Sequence, residues 1–248
     1  MKVELMIVGW ISSPAAVYRQ GEDPAARIRF PIPAYLIETE SERILVDAGL
    51  HPASIADPGE FYGRPEAGMF ALEQERAITE LVDVSTLTRI VITHLHFDHV
   101  GALTLLPASI PIVIQRREWE AAGDARAIRR NFFYPRDYAV EGRELVLVDG
   151  DHDLLGDGSI ELLLTPGHTP GHQSLRVGDG LVIGADVGHF AATLDDHRFP
   201  SFADDFAAQA GSAERLRALR EGGARVLPGH DPDVLRPGPV ELGGVGGS

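Results

Sequence analysis

The sequence predicts a mixed α/β fold in which strands dominate. Three observations carry that reading: short apolar runs, several of them β-branched, recur along the whole chain of 248 residues; Gly and Pro punctuate their ends; and only three stretches carry helical spacing. In chain order the strand-like runs are 3–8, 34–39, 43–46, 90–92, 110–114, 144–148, 160–164, 173–177, 181–183 and 225–227. Helical patterns occupy 67–82, 117–122 and 212–220, the last with Ser212 as N-cap and Gly222 as stop. No linker divides the chain and no strict repeat is present, so one domain over 1–248 is expected, with a Gly-rich, flexible tail over 237–248.

Composition removes several chemistries. The chain has no Cys, which excludes disulfides, iron-sulfur clusters, thiolate zinc sites and a cysteine nucleophile together. A formal net charge of -15, from 37 acidic against 22 basic residues, argues against nucleic acid as a partner. The first ten residues carry Glu4 and no long apolar region or cleavage site, so they read as a strand rather than a leader. No run approaches the roughly 18 apolar residues of a membrane span, and a soluble, cytoplasmic protein without a membrane partner is expected.

The chemistry is concentrated in Thr93-His94-Leu95-His96-Phe97-Asp98-His99-Val100-Gly101, which follows the apolar run Arg89-Ile90-Val91-Ile92. A lone histidine is usually an ordinary surface or core residue. Three imidazoles and a carboxylate within six residues are costly to bury without partners, and together they are the donors that zinc and similar divalent ions prefer. Three further candidates stand at the ends of apolar runs, where an open α/β architecture collects its binding groups: His168 after Thr165-Pro166-Gly167, Asp186 after Gly184-Ala185, and His230 after Pro228-Gly229.

The pattern His-x-His-x-Asp-His, followed by Gly-His, Asp and Pro-Gly-His, resembles the metallo-β-lactamase superfamily across nearly the whole chain. The resemblance implies an α+β, four-layer αββα sandwich of two mixed β-sheets flanked by helices, with a dinuclear metal site at one rim. By position it implies that His94, His96 and His168 hold one ion, that Asp98, His99 and His230 hold the other, and that Asp186 bridges them. Asp47, in Ile44-Leu45-Val46-Asp47-Ala48-Gly49, matches the Asp that orients a ligand imidazole by hydrogen bonding. Seven nitrogen and oxygen ligands suit two zinc ions, and iron, manganese or cobalt also accept such a set.

Thr93 to Gly101, together with the segment from Ile112 to Ala122 and with Pro166-Gly167-His168-Thr169-Pro170-Gly171-His172-Gln173-Ser174-Leu175, resembles the N-acyl homoserine lactonase family. That implies a small-molecule lactone substrate, and with it quorum quenching, in a monomer or homodimer. It implies ring opening by a hydroxide shared between two ions about 3.5–4 Å apart, with no Ser or Cys nucleophile. Asp98 and Asp186 are then ligands that also qualify to relay the proton to the leaving alkoxide. One departure stands out: three residues after Asp186, where the family carries Tyr, this chain has His189, expected to hydrogen-bond the substrate or to cap its loop.

His172, beside His168, is expected to support the loop rather than bind metal. His51, His152 and His197 have no motif context and are expected at the surface. Phe97, inside the metal loop, is expected to touch substrate, and the aromatic groups Phe61-Tyr62, Met69-Phe70 and Phe132-Phe133-Tyr134 are candidates for an acyl-chain wall or for core. Two rivals keep the metal motif: hydrolysis of another lactone, ester or thioester, as in pyridoxolactonase-like or glyoxalase II-like enzymes, and a mononuclear iron oxygenase on the same fold. A metal-binding module without catalysis is a third.

Overall fold

The computed structural model describes residues 1–242. Thirteen strands appear in chain order: β1 (Lys2–Pro14), β2 (Arg27–Glu38), β3 (Arg43–Val46), β4 (Ala71–Glu73), β5 (Arg89–Val91), β6 (Ile112–Gln115), β7 (Leu145–Val148), β8 (His152–Asp153), β9 (Ile160–Leu164), β10 (Gln173–Val177), β11 (Leu181–Ala185), β12 (Arg225–Pro228) and β13 (Gly238–Val240). They form two sheets. The first has the order β13-β1-β2-β3-β5-β6-β7, with β4 also paired to β1; the second runs β12-β11-β10-β9-β8. Both are mixed, because β3, β5, β6 and β7 are parallel neighbours in one, and β11 and β12 in the other, among otherwise antiparallel pairs.

Alternation of side chains along each strand builds the layers. Ile44 and Val46, Val91, and Val113 point from the first sheet toward Leu175, Val177, Leu181, Ile183 and Leu227 of the second, giving a dry core between the sheets. Their neighbours Leu45, Ile90 and Ile112 point the other way, under the irregular helical segments that cover the first sheet. On the far side Val182 packs with Ala213 and Leu216 of the 16-residue helix Phe206–Glu221. Helices, sheet, sheet and helix follow one another, the αββα sandwich that the resemblance implies.

The elements differ from expectation in three places. The stretch 67–82 is a 3-10 turn (Pro65–Met69), the strand β4 and the short helix Ile78–Leu81; Leu72 pairs with Ile11 of β1, and that long-range pairing overrides the local helical spacing. The long helix begins at Phe206 with Asp205 accepting from the Ala207 and Ala208 N–H groups, so Ser212 lies mid-helix and donates to the Pro166 carbonyl at 2.7 Å. Gly222 does close that helix. The expected tail is interrupted by β13, in which Val240 pairs with Val3 of β1; residues 243–248 lie outside the described residues. None of the described helices is long and apolar enough to cross a membrane.

Val240 is partly buried against the inter-sheet core. A Val240→Asp variant should therefore lose about 1–3 kcal/mol, read as a fall in Tm of roughly 2–10 °C. Unchanged thermal unfolding would mean that this strand adds nothing to the sandwich.

Candidate metal centre

The seven sequence-predicted metal ligands converge at one rim, and each arrives from a strand end. β5 runs out at Val91, and the next residues carry His94 and His96 into the one-turn helix Phe97–Val100, which holds Asp98 and His99. Asp47 follows β3, the parallel neighbour of β5, with φ 60°. In that left-handed turn its carboxylate faces back, accepting from Thr93 N–H and from Thr93 Oγ1–H, each at 2.8 Å. His168 lies in the turn from β9 to β10. Asp186 follows β11, where the register with β12 slips between Ile183 and Ala185, and Ala185 takes φ 44°. Such a conformation costs an alanine of order 1 kcal/mol and turns Asp186 toward the rim. His230 follows β12.

Two donor groups result. His94 Nε2 and His168 Nε2 stand 3.0 and 2.9 Å from His96 Nδ1, and Asp186 completes a four-donor group with them. Asp98, His99 and His230 form the second group. Asp186 faces both: its Oδ2 lies 3.2 Å from His168 Nε2, and its Oδ1 lies 3.2 Å from His230 Nε2 and 3.5 Å from His99 Nε2. Donors bound at ~2.0–2.1 Å around a tetrahedral ion stand ~3.3 Å from one another, so these separations fit a divalent cation in each group.

The opposite ring nitrogens are fixed. His96 Nε2 donates to the Asn131 carbonyl at 2.8 Å, and His230 Nδ1 donates to the Pro31 carbonyl at 2.9 Å. His94 Nδ1 lies 3.0 Å from Thr93 Oγ1, and His99 Nδ1 lies 2.7 Å from Asp47 Oδ2. Each of these four imidazoles thus presents its remaining nitrogen to the interior of its group.

Electrostatics make the same demand. Burial, with neighbouring imidazoles, holds His94 and His168 well below the ordinary histidine range, and burial takes His96 down to about 4. Burial also acts to lower His99 and His230, yet the carboxylates of Asp186 and Asp98 overrule it and hold both above their ordinary value. The Asp186 carboxyl is driven upward by burial and then pulled well below its usual range by His230, His189 and His99. Buried carboxylates here require positive charge close by, and neutral imidazole lone pairs face the same space. His99 Nε2 and Asp186 Oδ1 are buried without a hydrogen-bond partner, which is the state expected of atoms that bind a cation.

His172 has no nitrogen to spare. Nε2 accepts from the Asp186 N–H at 3.0 Å, and Nδ1 faces the Thr165 hydroxyl and carbonyl at 2.9 and 3.1 Å. The long helix adds a second hold, as Gln209 Nε2 donates to the Asp186 carbonyl at 3.1 Å. Sequence reading missed Glu118. Its buried carboxylate accepts from Leu95 N–H at 3.0 Å and from Gly171 N–H at 2.7 Å, tying the loop of His94 and His96 to that of His168; burial pushes the group up to about 7. Gly171 touches Glu118 so closely, and Gly229 touches Asp186 so closely, that a Cβ at either would overlap its neighbour. Among the remaining histidines, His152 is exposed, whereas His51 and His197 are half-buried; His51 packs on Phe61, and His197 pairs with Glu214 at 3.2 Å.

A cavity of about 160 Å³ opens onto His96 and Asp98. Its wall is rich in aromatic residues: Phe97, Phe70, Phe132 and Tyr134 line it together with Met69, as anticipated for some of these groups, while Phe133 is fully buried in the core and Phe61 packs beneath Arg136. Tyr18 and Phe202 line it too, from segments with no motif signal. The Tyr18 hydroxyl is held well above its usual range by burial and by the Asp98 and Asp186 carboxylates, so it stays a neutral donor. His189 does not line the cavity. Its ring centroid lies 5.2 and 6.4 Å from those of the lining residues Tyr18 and Phe202.

Four substitutions test this construction. Gly229→Ala should displace the Asp186 carboxylate and weaken divalent-ion binding roughly ten- to a hundredfold in chelator competition; unchanged affinity would remove the close approach as a constraint. In Glu118→Gln one of the two N–H groups faces an amide that cannot accept from it, at a cost of about 1–3 kcal/mol, measured as a lower Tm. His172→Ala should lose stability while keeping its ions, whereas Asp186→Ala should lose ions. The opposite pattern in elemental analysis would reverse those assignments.

Comparison with known proteins agrees with this geometry. The chain is 28% identical over 235 residues to the N-acyl homoserine lactonase AttM of Azorhizobium caulinodans, covering 87% of this chain and 88% of that one. It is 33% identical over 162 residues to the N-acyl homoserine lactonase AiiA of Bacillus thuringiensis subsp. kurstaki, a match spanning 62% of this chain and 61% of that enzyme. The solved structure of an N-acyl homoserine lactone hydrolase with the product N-hexanoyl-L-homoserine at its catalytic metal centre superposes with a TM-score of 0.81 at 25% identity, over 94% of each chain. The model of the metallo-beta-lactamase superfamily matches residues 27–230, and the chain belongs to that superfamily.

Proposed function

We propose that this chain is a two-ion hydrolase that opens the ring of an N-acyl homoserine lactone. The observation that carries the reading is the aromatic cavity ending on His96 and Asp98: an apolar tail can lie along its wall while a polar head meets the donor groups at its floor. The relatives that match most of the chain are named for this reaction.

In this reading His94, His96, His168 and Asp186 hold one ion, and Asp98, His99, His230 and Asp186 hold the other, with zinc as the proposed metal because imidazole and carboxylate donors in near-tetrahedral groups suit it. Bound divalent ions supply Lewis acidity, polarising a carbonyl oxygen and lowering the pKa of water, which is why the chain needs no Ser or Cys nucleophile.

The chain's own residues do the rest. Asp47 and Thr93 hold the imidazoles of His94 and His99 in orientation. Asp98, at the cavity floor, is the carboxylate we place to carry the proton to the departing ring oxygen. Tyr18, kept neutral, donates a hydrogen bond to the substrate from the wall, and Phe97 with Phe202 shields the reacting carbonyl from bulk water.

The test is a panel of short- and long-chain acyl homoserine lactones, a simple lactone, a thioester, a β-lactam and a phosphotriester, run with measured metal content. We expect two ions per chain, an acyl homoserine lactone as the fastest substrate, and no oxygen uptake. A thioester turned over while every lactone is left intact would replace this reading with a glyoxalase II-like one, and oxygen consumption with one iron per chain would replace it with an oxygenase. Tyr18→Phe at full metal loading should lower kcat roughly ten- to a thousandfold on the best lactone; an unchanged kcat would remove the tyrosine from the reaction.

A further inference from the structure

The seven-residue donor set leaves one imidazole over. His189 follows Asp186 by three residues and is 1% exposed, and neither of its ring nitrogens has a hydrogen-bond partner. Buried polar nitrogens are costly to leave without partners. His189 is not among the residues that line the cavity, so nothing there sets its nitrogens against substrate.

The space that His189 does face is the metal centre. Its Nε2 lies 3.1 Å from Asp186 Oδ2, the oxygen that also faces His168 at 3.2 Å, without the alignment of a hydrogen bond. The two atoms therefore aim into a common space rather than at each other. With donor atoms of Asp186 and His230, the His189 donor forms a group lying within 4.8 Å. Its ring centroid is 5.1 Å from that of His168 and 5.1 Å from that of His230, so it stands where the two ligand groups meet. The backbone fixes it there, since the His189 carbonyl accepts from His230 N–H at 2.8 Å and the Gly188 carbonyl accepts from Gly229 N–H at 3.0 Å.

We propose that His189 Nε2 is a metal ligand, an eighth side chain in the centre, placed at the edge shared by Asp186 and His230. The proposal rests on the two-ion reading of the site, and it moves His189 from the substrate to the metal. The tyrosine of the lactonase pattern gives way here to an imidazole that binds the ion.

The experiment reads metal and uses no lactone. His189→Phe keeps a ring against Tyr18 and Phe202 and removes both nitrogens. Its folding is checked by circular dichroism, and its zinc affinity by chelator competition against wild type. We expect one ion to bind roughly a hundredfold more weakly, and the visible absorption of the cobalt-loaded protein to change intensity as the coordination changes. Both ions bound at wild-type affinity with an unchanged cobalt spectrum would overturn the proposal. A count on the wild-type protein does not depend on the variant folding: in cadmium-113-loaded protein with nitrogen-15 histidine, nitrogen–cadmium coupling should appear for His94, His96, His99, His168, His189 and His230. Absence of coupling at His189 with the other five present would also overturn it. A protein that passes these tests yet opens no lactone loses only the proposed activity, whereas one that opens lactones and fails them loses only this ligand.

Discussion

Asp186 has given up water on every side, and its two oxygens face the imidazoles of His94, His168, His189, His99 and His230. An ionised carboxylate at that depth persists only where positive charge or convergent donors replace its hydration. Much of the nearby architecture follows from keeping it there. The β11 register slip and the left-handed Ala185 aim it, His172 and Gln209 hold its peptide groups, and Gly229 stays without a side chain so that the carboxylate has room.

The two halves of the chain contribute to this point unequally. The first half delivers four ligands from one loop, while the second delivers its ligands singly from three strand ends. Glu118 joins the halves. It is a helix residue of the first half that accepts an N–H from each ligand loop, and Gln173 adds two more ties by donating to the Ile92 and Thr93 carbonyls.

Legibility in the sequence followed range. The ligands were readable because four lie within six residues and the others directly follow apolar runs. Strand positions were readable where the apolar run is compact, as at 43–46 and 160–164. The stretch 67–82 was misread because its spacing is helical while its pairing partner, Ile11, lies some sixty residues away. The supports from Asn131, Pro31 and Glu118, and the wall from Tyr18 and Phe202, carry no local signal at all. Each owes its place to the closing of the sandwich, which brings remote loops to one rim. His189 was noticed as a departure, yet its place beside Asp186 and His230 depends on the backbone pairing of Gly188 and His189 with Gly229 and His230.

The cavity wall has a consequence for how such a protein can change over time. Met69, Phe70, Phe132 and Phe202 come from three separate connections, and none of them is itself a ligand. Reshaping the entrance and preserving the reactive floor are therefore separable tasks for natural selection. A lineage can drift in what it admits, one loop at a time, without ever passing through an ancestor that has lost the ability to react.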